Sequence, residues 1–320
     1  MKKIVVTGGA GFIGSMLVRK LLERDAGEIH VIDNLSSGKE SNLAEVASQI
    51  KLHVSDIRNY EEIAPLLAGA QTVYHLAAIP SVPRSIFEPV PSHQVNVDGC
   101  FNVFRAAHAG RVGRVIYAAS SSAYGDTPVL PKTESMAPNP KSPYAVQKLM
   151  GEYYASVFYA CFGLETVSLR FFNVYGPRQD PNSPYSGVLS IFNRCLLDRK
   201  PPTIFGDGEQ TRDFTYVEDV AELCIKAASA GRSVCGRVFN AGNGNRYSLN
   251  QVWELLQEIE GVRIPAQYGP PREGDVRDSQ ADTKLAVEEL GHAPRFSLEE
   301  GLRLTLAWYR QSVLEAPTRV

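Results

Sequence analysis

Tyr144 and Lys148 stand four residues apart in Y-A-V-Q-K, so on a helix they share one face. A phenol that loses its proton at about 10 acts as a base near pH 7 only with about 4 kcal/mol of differential stabilisation. A neighbouring ammonium favours the tyrosinate and poor solvation opposes it, so the charge must win. Upstream, Ser120-Ser121-Ser122 ends the apolar run 114–119. Hydroxyls at the end of a parallel strand face the ligand crevice, where one can hydrogen-bond a substrate oxygen. Alone, each group also reads as a helix-surface contact or a polar loop. A third constellation is K-I-V-V-T-G-G-A-G-F-I-G at residues 3–14, where an apolar strand signal runs into Gly8, Gly11 and Gly14 and then into an amphipathic helical stretch. Gly8 allows the tight turn, Gly11 the approach of main-chain N–H groups to a pyrophosphate, and Gly14 the close packing of helix on strand. Asp33 closes the next apolar run, 19 positions beyond Gly14. A carboxylate there takes a ribose 2′-hydroxyl and repels a 2′-phosphate, so NAD is expected rather than NADP.

The elements that must carry these residues alternate. Strand signals fall at 4–6, 29–32, 50–54, 72–77, 114–119 and 165–172. Helix signals fall at 12–22, before about 47, and at 60–67, 96–109 and 142–161. Ser142-Pro143 suits a helix cap followed by a first-turn proline. The alternation predicts an α/β fold, a Rossmann-type doubly wound parallel sheet covered on both faces. From 173 to 186, Gly, Pro, Asn and Asp predict a loop. Helices are expected at 188–197, 250–259 and 283–290, with a return helix at 214–228 and a strand at 237–241. The expected division is an NAD-binding domain, 1–180 rejoined by about 214–242, and a smaller interleaved lobe, 181–213 with 243–320. Ligands would bind between them, at the carboxyl ends of the strands.

Composition sets outer bounds. With 44% hydrophobic and 21% charged residues and a net charge of −2, the 320-residue chain is an ordinary globular one, without the basic excess of a nucleic-acid or membrane-surface binder. No apolar run approaches the ~18 residues of a membrane span. The amino end is expected to pass directly into a strand, without the pattern of a signal peptide. Five scattered cysteines lack ligand spacing and are expected as buried thiols in a reducing cytoplasm, with no metal site.

The motifs T-G-G-A-G-F-I-G, H-L-A-A, S-S-S-A-Y-G, Y-A-V-Q-K, R-F-F-N-V-Y-G-P-R, R-D-F-T-Y-V-E-D and R-E-G-D-V-R-D-S-Q-A-D together resemble the extended short-chain dehydrogenase/reductase family. Within it they resemble the nucleotide-sugar 4-epimerases, over nearly the whole chain and in the family's order. The resemblance implies a retained NAD and a UDP-sugar bound between the lobes. It implies Tyr144 as catalytic base, Lys148 as its partner and holder of the nicotinamide ribose, and Ser120 on the sugar's 4-oxygen. NAD would be lined by Gly8, Gly11, Phe12, Ile13 and Gly14, by Asp33, Asn34, Ser36 and Gly38, by Asp56 and Ile57, and by Leu76, Ala77 and Ala78. Asn96, Ala118 and Phe171 complete that lining, with Tyr144 and Lys148. Ser81, Ser121 and Ser122 would lie near the sugar, Asn173, Arg212 and Arg272 at the diphosphate, and Val188, Thr203 and Phe205 around uracil. Ser279, four beyond Asp275, would border the sugar, and its small size would leave room for a 2-acetamido group.

The implied reaction is oxidation at C4, rotation of the 4-keto sugar and return of hydride to its other face. UDP-glucose/UDP-galactose are the expected substrates, and UDP-N-acetylglucosamine/UDP-N-acetylgalactosamine with them. UDP-glucuronate is the alternative, its carboxylate met by Arg84 or by hydroxyls. Dehydratase and decarboxylase outcomes need an acidic residue where this chain has Ser121-Ser122-Ala123. A non-catalytic NAD sensor is the rival of another class, and the intact Ser120, Tyr144 and Lys148 argue against it. The family's habit of pairing two helices per subunit in a four-helix bundle implies a homodimer through 96–109 and 144–161, with Phe101, Val103, Phe104, Phe158 and Tyr159 as apolar contacts.

Overall fold

The computed structural model describes residues 2–180, 187–271 and 276–315, with side chains as far as residue 311. Seven strands form one sheet in the order Arg237–Ala241, Glu165–Phe171, Arg114–Ser120, Thr72–His75, Lys3–Thr7, Glu28–Asp33, Ile50–Val54. Every neighbouring pair is parallel. Alternate side chains of a strand leave on opposite faces, and the core divides accordingly. Ile4, Val6, Val31, Ile116 and Leu169 join one buried cluster with the helices Phe12–Leu22 and Val217–Ser229. Val5, Ile32, Val73, Val115 and Tyr117 join another with Tyr60–Leu67, Cys100–Ala109 and Pro143–Phe162. A third cluster, built from Tyr175, Phe192, Phe214, Trp253, Leu302 and their neighbours, lies outside the sheet.

Several expected elements differ in detail. Residues 40–49 form a 3-10 helix with only Leu43 buried, because one apolar anchor in a Ser- and Asn-bearing stretch does not hold a full α-helix. Asn173–Tyr175 is a short strand rather than loop, paired in parallel with Phe214–Tyr216. The expected return helix accordingly starts only at Val217. Before Cys100 the helix begins as a π turn, Gln94–Gly99, and the short helices Val82–Phe87 and Pro89–His93 precede it. A last helix, Leu298–Glu315, packs Leu298, Leu302 and Leu306 into the third cluster.

Two further expectations are corrected by burial. Cys161 is exposed and Cys195 half-buried, so the thiols are not all interior. Val103, Phe104 and Phe158 are buried in the chain's own core, leaving Phe101 with Tyr153, Val157 and Phe162 on the outer face of these two helices. No helix of the described residues is long and apolar enough to cross a membrane, and no three metal-ligating side chains gather among them.

Candidate active site

The glycine turn is built of main chain. Gly8 sits at φ +72°, and a Cβ there would lie 2.7 Å from the Ala77 nitrogen, so this turn and the Leu76–Ala78 turn touch. A Cβ on Gly14 would lie 2.2 Å from the Gly8 carbonyl oxygen. Gly11 caps the helix Phe12–Leu22 without any side-chain acceptor, which leaves the first-turn N–H groups, Phe12 and Ile13 among them, for an anion. Thr7 clamps the two turns together: its hydroxyl hydrogen-bonds His75 Nδ1 at 2.8 Å and accepts the Ala77 N–H at 3.3 Å.

Asp33 ends the second strand beside this turn, almost buried. Its oxygens accept the Ala10 N–H at 3.0 Å and the Leu35 N–H at 2.9 Å. Burial raises its carboxyl, and these two bonds oppose the rise. A Cβ on Gly38 would lie 2.8 Å from both carboxylate oxygens, so only glycine lets the main chain pass here. Each oxygen keeps a lone pair for a ribose hydroxyl. Asn34 accepts the Ser36 N–H and donates to Asp56 at 2.7 Å. Arg58 beside Asp56 holds that carboxyl down at about 2. Asp56, Arg58, Asn59, Gln94 and Asp98 line an open polar depression, with buried Ile57 packed behind it against Gly99. Arg58, Asn59 and Asp98 carry no motif that would have marked them. The main-chain cradle, its capless helix and the Asp33–Gly38 contact fit a dinucleotide.

Asn96 does not point free into this cleft. Its amide accepts the Ile79 N–H at 2.8 Å and donates to the Ile79 carbonyl and to Gln147 Oε1, pinning the chain after Ala78 to the Tyr144 helix. Ser81 is likewise occupied, capping the helix Val82–Phe87 through the Arg84 N–H.

The chemical side chains meet at the carboxyl end of the fifth strand. Ser142 caps the helix Pro143–Phe162 through the Ala145 N–H, and the Tyr144 N–H is held by Ser85 Oγ at 3.0 Å. Burial pushes the Tyr144 phenol up to about 12, and the Ser120 hydroxyl beside it opposes the rise. Ser120 also accepts Ser122 Oγ at 2.9 Å, and Ser121 is half-buried beside it. Lys148 donates to the Ala118 carbonyl at 2.8 Å, with the Tyr117 ring 5.0 Å away. Burial pulls its ammonium down to about 8. Phe171 ends the sixth strand next to Ser120, in register with it. Ser120 and the Ala118 carbonyl that holds Lys148 thus lie at one strand end, with Tyr144 beside Ser120 on the helix of Lys148.

The second lobe is less converged. Arg212 donates to the Thr211 and Arg277 carbonyls, and the Ser279 N–H donates to the Thr211 carbonyl, so Ser279 lies on a segment beside the short strand Thr211–Arg212. Val188 opens the helix Val188–Leu197, and Thr203 and Phe205 flank Ile204 on a strand paired with Gln267–Gly269. Asn173 is exposed at the edge of its strand. Arg272 and Asp275 lie outside the described residues. Asp213 went unmarked: fully buried, it accepts the Asn243, Gly244 and Ala281 N–H groups and ties three loops together. Its only sequence signal is its place in R-D-F-T-Y-V-E-D.

Comparison with known proteins agrees. Residues 4–242 match the model of the NAD dependent epimerase/dehydratase family. A UDP-glucose 4-epimerase of Mycolicibacterium smegmatis is 37% identical, covering 96% of this chain and 98% of its own. The crystal structure of a UDP-glucose 4-epimerase from Thermotoga maritima with UDP-glucose superposes with a TM-score of 0.92 at 39% identity, covering 97% of this chain and 99% of that one. A UDP-N-acetylglucosamine 4-epimerase from Methanobrevibacter ruminantium, in complex with UDP-N-acetylmuramic acid, gives 0.92 at 37% identity with the same coverages. The cradle, the Ser120–Tyr144–Lys148 group and this whole-length similarity establish that the chain belongs to the NAD-dependent epimerase/dehydratase family.

Proposed function

We propose that this protein is an NAD-dependent UDP-sugar 4-epimerase acting on UDP-glucose and UDP-galactose and also on their 2-acetamido counterparts. The observation that supports the reading is the gathering of Ser120, Tyr144 and Lys148 at the carboxyl end of the fifth strand, two strands from the glycine-turn strand in the same parallel sheet. NAD⁺, held by the glycine turn and Asp33, would supply the hydride acceptor and a positive charge. The chain's own part is proton handling. Ser120 orients the sugar's 4-hydroxyl, and Tyr144 takes its proton at the phenolic oxygen and later returns it. With burial holding the phenol near 12, Tyr144 is a base only where added positive charge outweighs desolvation. Lys148 contributes as ammonium, so kcat should fall as pH rises through about 8, where that charge is lost.

Cofactor contacts follow Gly8–Gly14, Asp33, Gly38 and the Leu76–Ala78 turn. Substrate contacts are assigned to Ser121, Ser122, Asn173 and Arg212, with Arg272 and Asp275 as further contacts and Ser279 at the sugar. The two similar structures carry different sugars at nearly equal identity, so overall likeness does not select the substrate. The acceptance of a 2-acetamido group rests on the small Ser279. Exposed Phe101, Tyr153, Val157 and Phe162 support a homodimer through these helices, which a single peak at twice the chain mass in light scattering would bear out.

The test is anion-exchange analysis of UDP-glucose, UDP-N-acetylglucosamine and UDP-glucuronate incubated separately with purified protein, without and with NAD. The 4-epimers of the first two are expected. Conversion of UDP-glucuronate alone would replace the substrate assignment, and silence from all three would sink it.

A further inference from the structure

Glu152 stands one helical turn beyond Lys148 and two beyond Tyr144, and its side chain is 3% exposed. It is gripped by the fork of Arg170, 4% exposed, through Nε to Oε1 at 2.9 Å and Nη2 to Oε2 at 2.8 Å. The same guanidinium lies 4.5 Å from the ring centroid of Tyr124. Tyr124 ends the turn that starts directly after Ser120, and its hydroxyl donates to Asn240 at 2.6 Å. Arg170 Nη1 finds no acceptor among the described residues. A buried pair with an orphaned donor is a poor source of stability, since a well-packed apolar pair of the same volume does as well or better. An apolar pair cannot fix direction among three elements at once. Arg170 does so for the Tyr144 helix, the serine turn and the strand that leads to Asn173.

We propose that Glu152 and Arg170 are positioning residues: the fork sets the helix of Tyr144 and Lys148 against the turn of Ser120. This rests on the reading of Ser120, Tyr144 and Lys148 as the reacting group.

The test compares E152M/R170M, R170K and Y144F with wild type, reading kcat, KM and the melting temperature. The double substitution replaces the pair by apolar side chains of similar volume, so it should melt within a few degrees of wild type. KM should stay within about threefold while kcat falls about tenfold to a hundredfold through misplacement. R170K keeps the charge and loses the fork, so it should lose kcat several-fold. A double variant with wild-type kcat, or one whose kcat falls only together with the melting temperature, overturns the proposal. If the double variant does not fold, R170K decides, and wild-type kcat there overturns it. Full activity in Y144F would instead overturn the underlying assignment of the reacting group.

Discussion

Around the first strand the functional surface is main chain, placed by residues that have no side chain. Gly8, Gly14 and Gly38 each allow an approach that a Cβ would block, and the donors they expose belong to the backbone. Around Thr211–Arg212 and Thr203–Phe205 the candidate contacts are side chains on two- and three-residue strands held by neighbouring loops. On the proposed reading the first region holds the dinucleotide and the second the sugar nucleotide. A main-chain cradle is intolerant of substitution and indifferent to the sugar. A side-chain pocket can change its ligand by one residue.

That contrast can be broken in several places. The largest effect is expected from Tyr144→Phe, with kcat down by about 10²–10⁴-fold and UDP-sugar binding by calorimetry unchanged. Gly14→Ala comes next, since a Cβ 2.2 Å from a carbonyl oxygen must displace the helix. It should cost about 1–3 kcal/mol in unfolding free energy by urea titration and abolish NAD retention for every sugar tested alike. Ser279→Tyr should instead discriminate, lowering kcat/KM for UDP-N-acetylglucosamine by about 10–200-fold and leaving UDP-glucose nearly untouched. Equal losses on both sugars would erase the distinction between the regions.

Asp33→Asn deprives Ala10 or Leu35 of an acceptor and should weaken NAD by about 1–3 kcal/mol in calorimetry. Ser142→Ala removes only a helix cap, about 1 kcal/mol in thermal unfolding, with kcat nearly retained.

The same contrast explains what was legible in the sequence. The sheet could be read because buried parallel strands are short β-branched runs, and Gly8, Gly11, Gly14 and Asp33 because backbone geometry demands those residue types at those spacings. Helical period puts Tyr144 and Lys148 on one face, while their role comes from the family resemblance. Asn96 reads as a ligand contact, yet its amide is taken up in pinning a loop. Which partner a polar side chain finds depends on chain 17 to 100 or more residues away, and spacing carries no such information. Arg170, Glu152 and Asp213 were illegible for that reason: their roles lie in contacts between elements. Asn173–Tyr175 looked like loop because its strand partner comes some 40 residues later, and a three-residue strand has too few side chains to show a period.

The most direct test of the central claim is to run the reaction on UDP-glucose in deuterium oxide and examine C4 of the product by NMR. Removal of the hydroxyl proton by Tyr144, with hydride stored and returned within the site, predicts UDP-galactose that keeps its original hydrogen at C4. Deuterium at C4 would mean that the carbon-bound hydrogen exchanges with solvent, and would contradict the account.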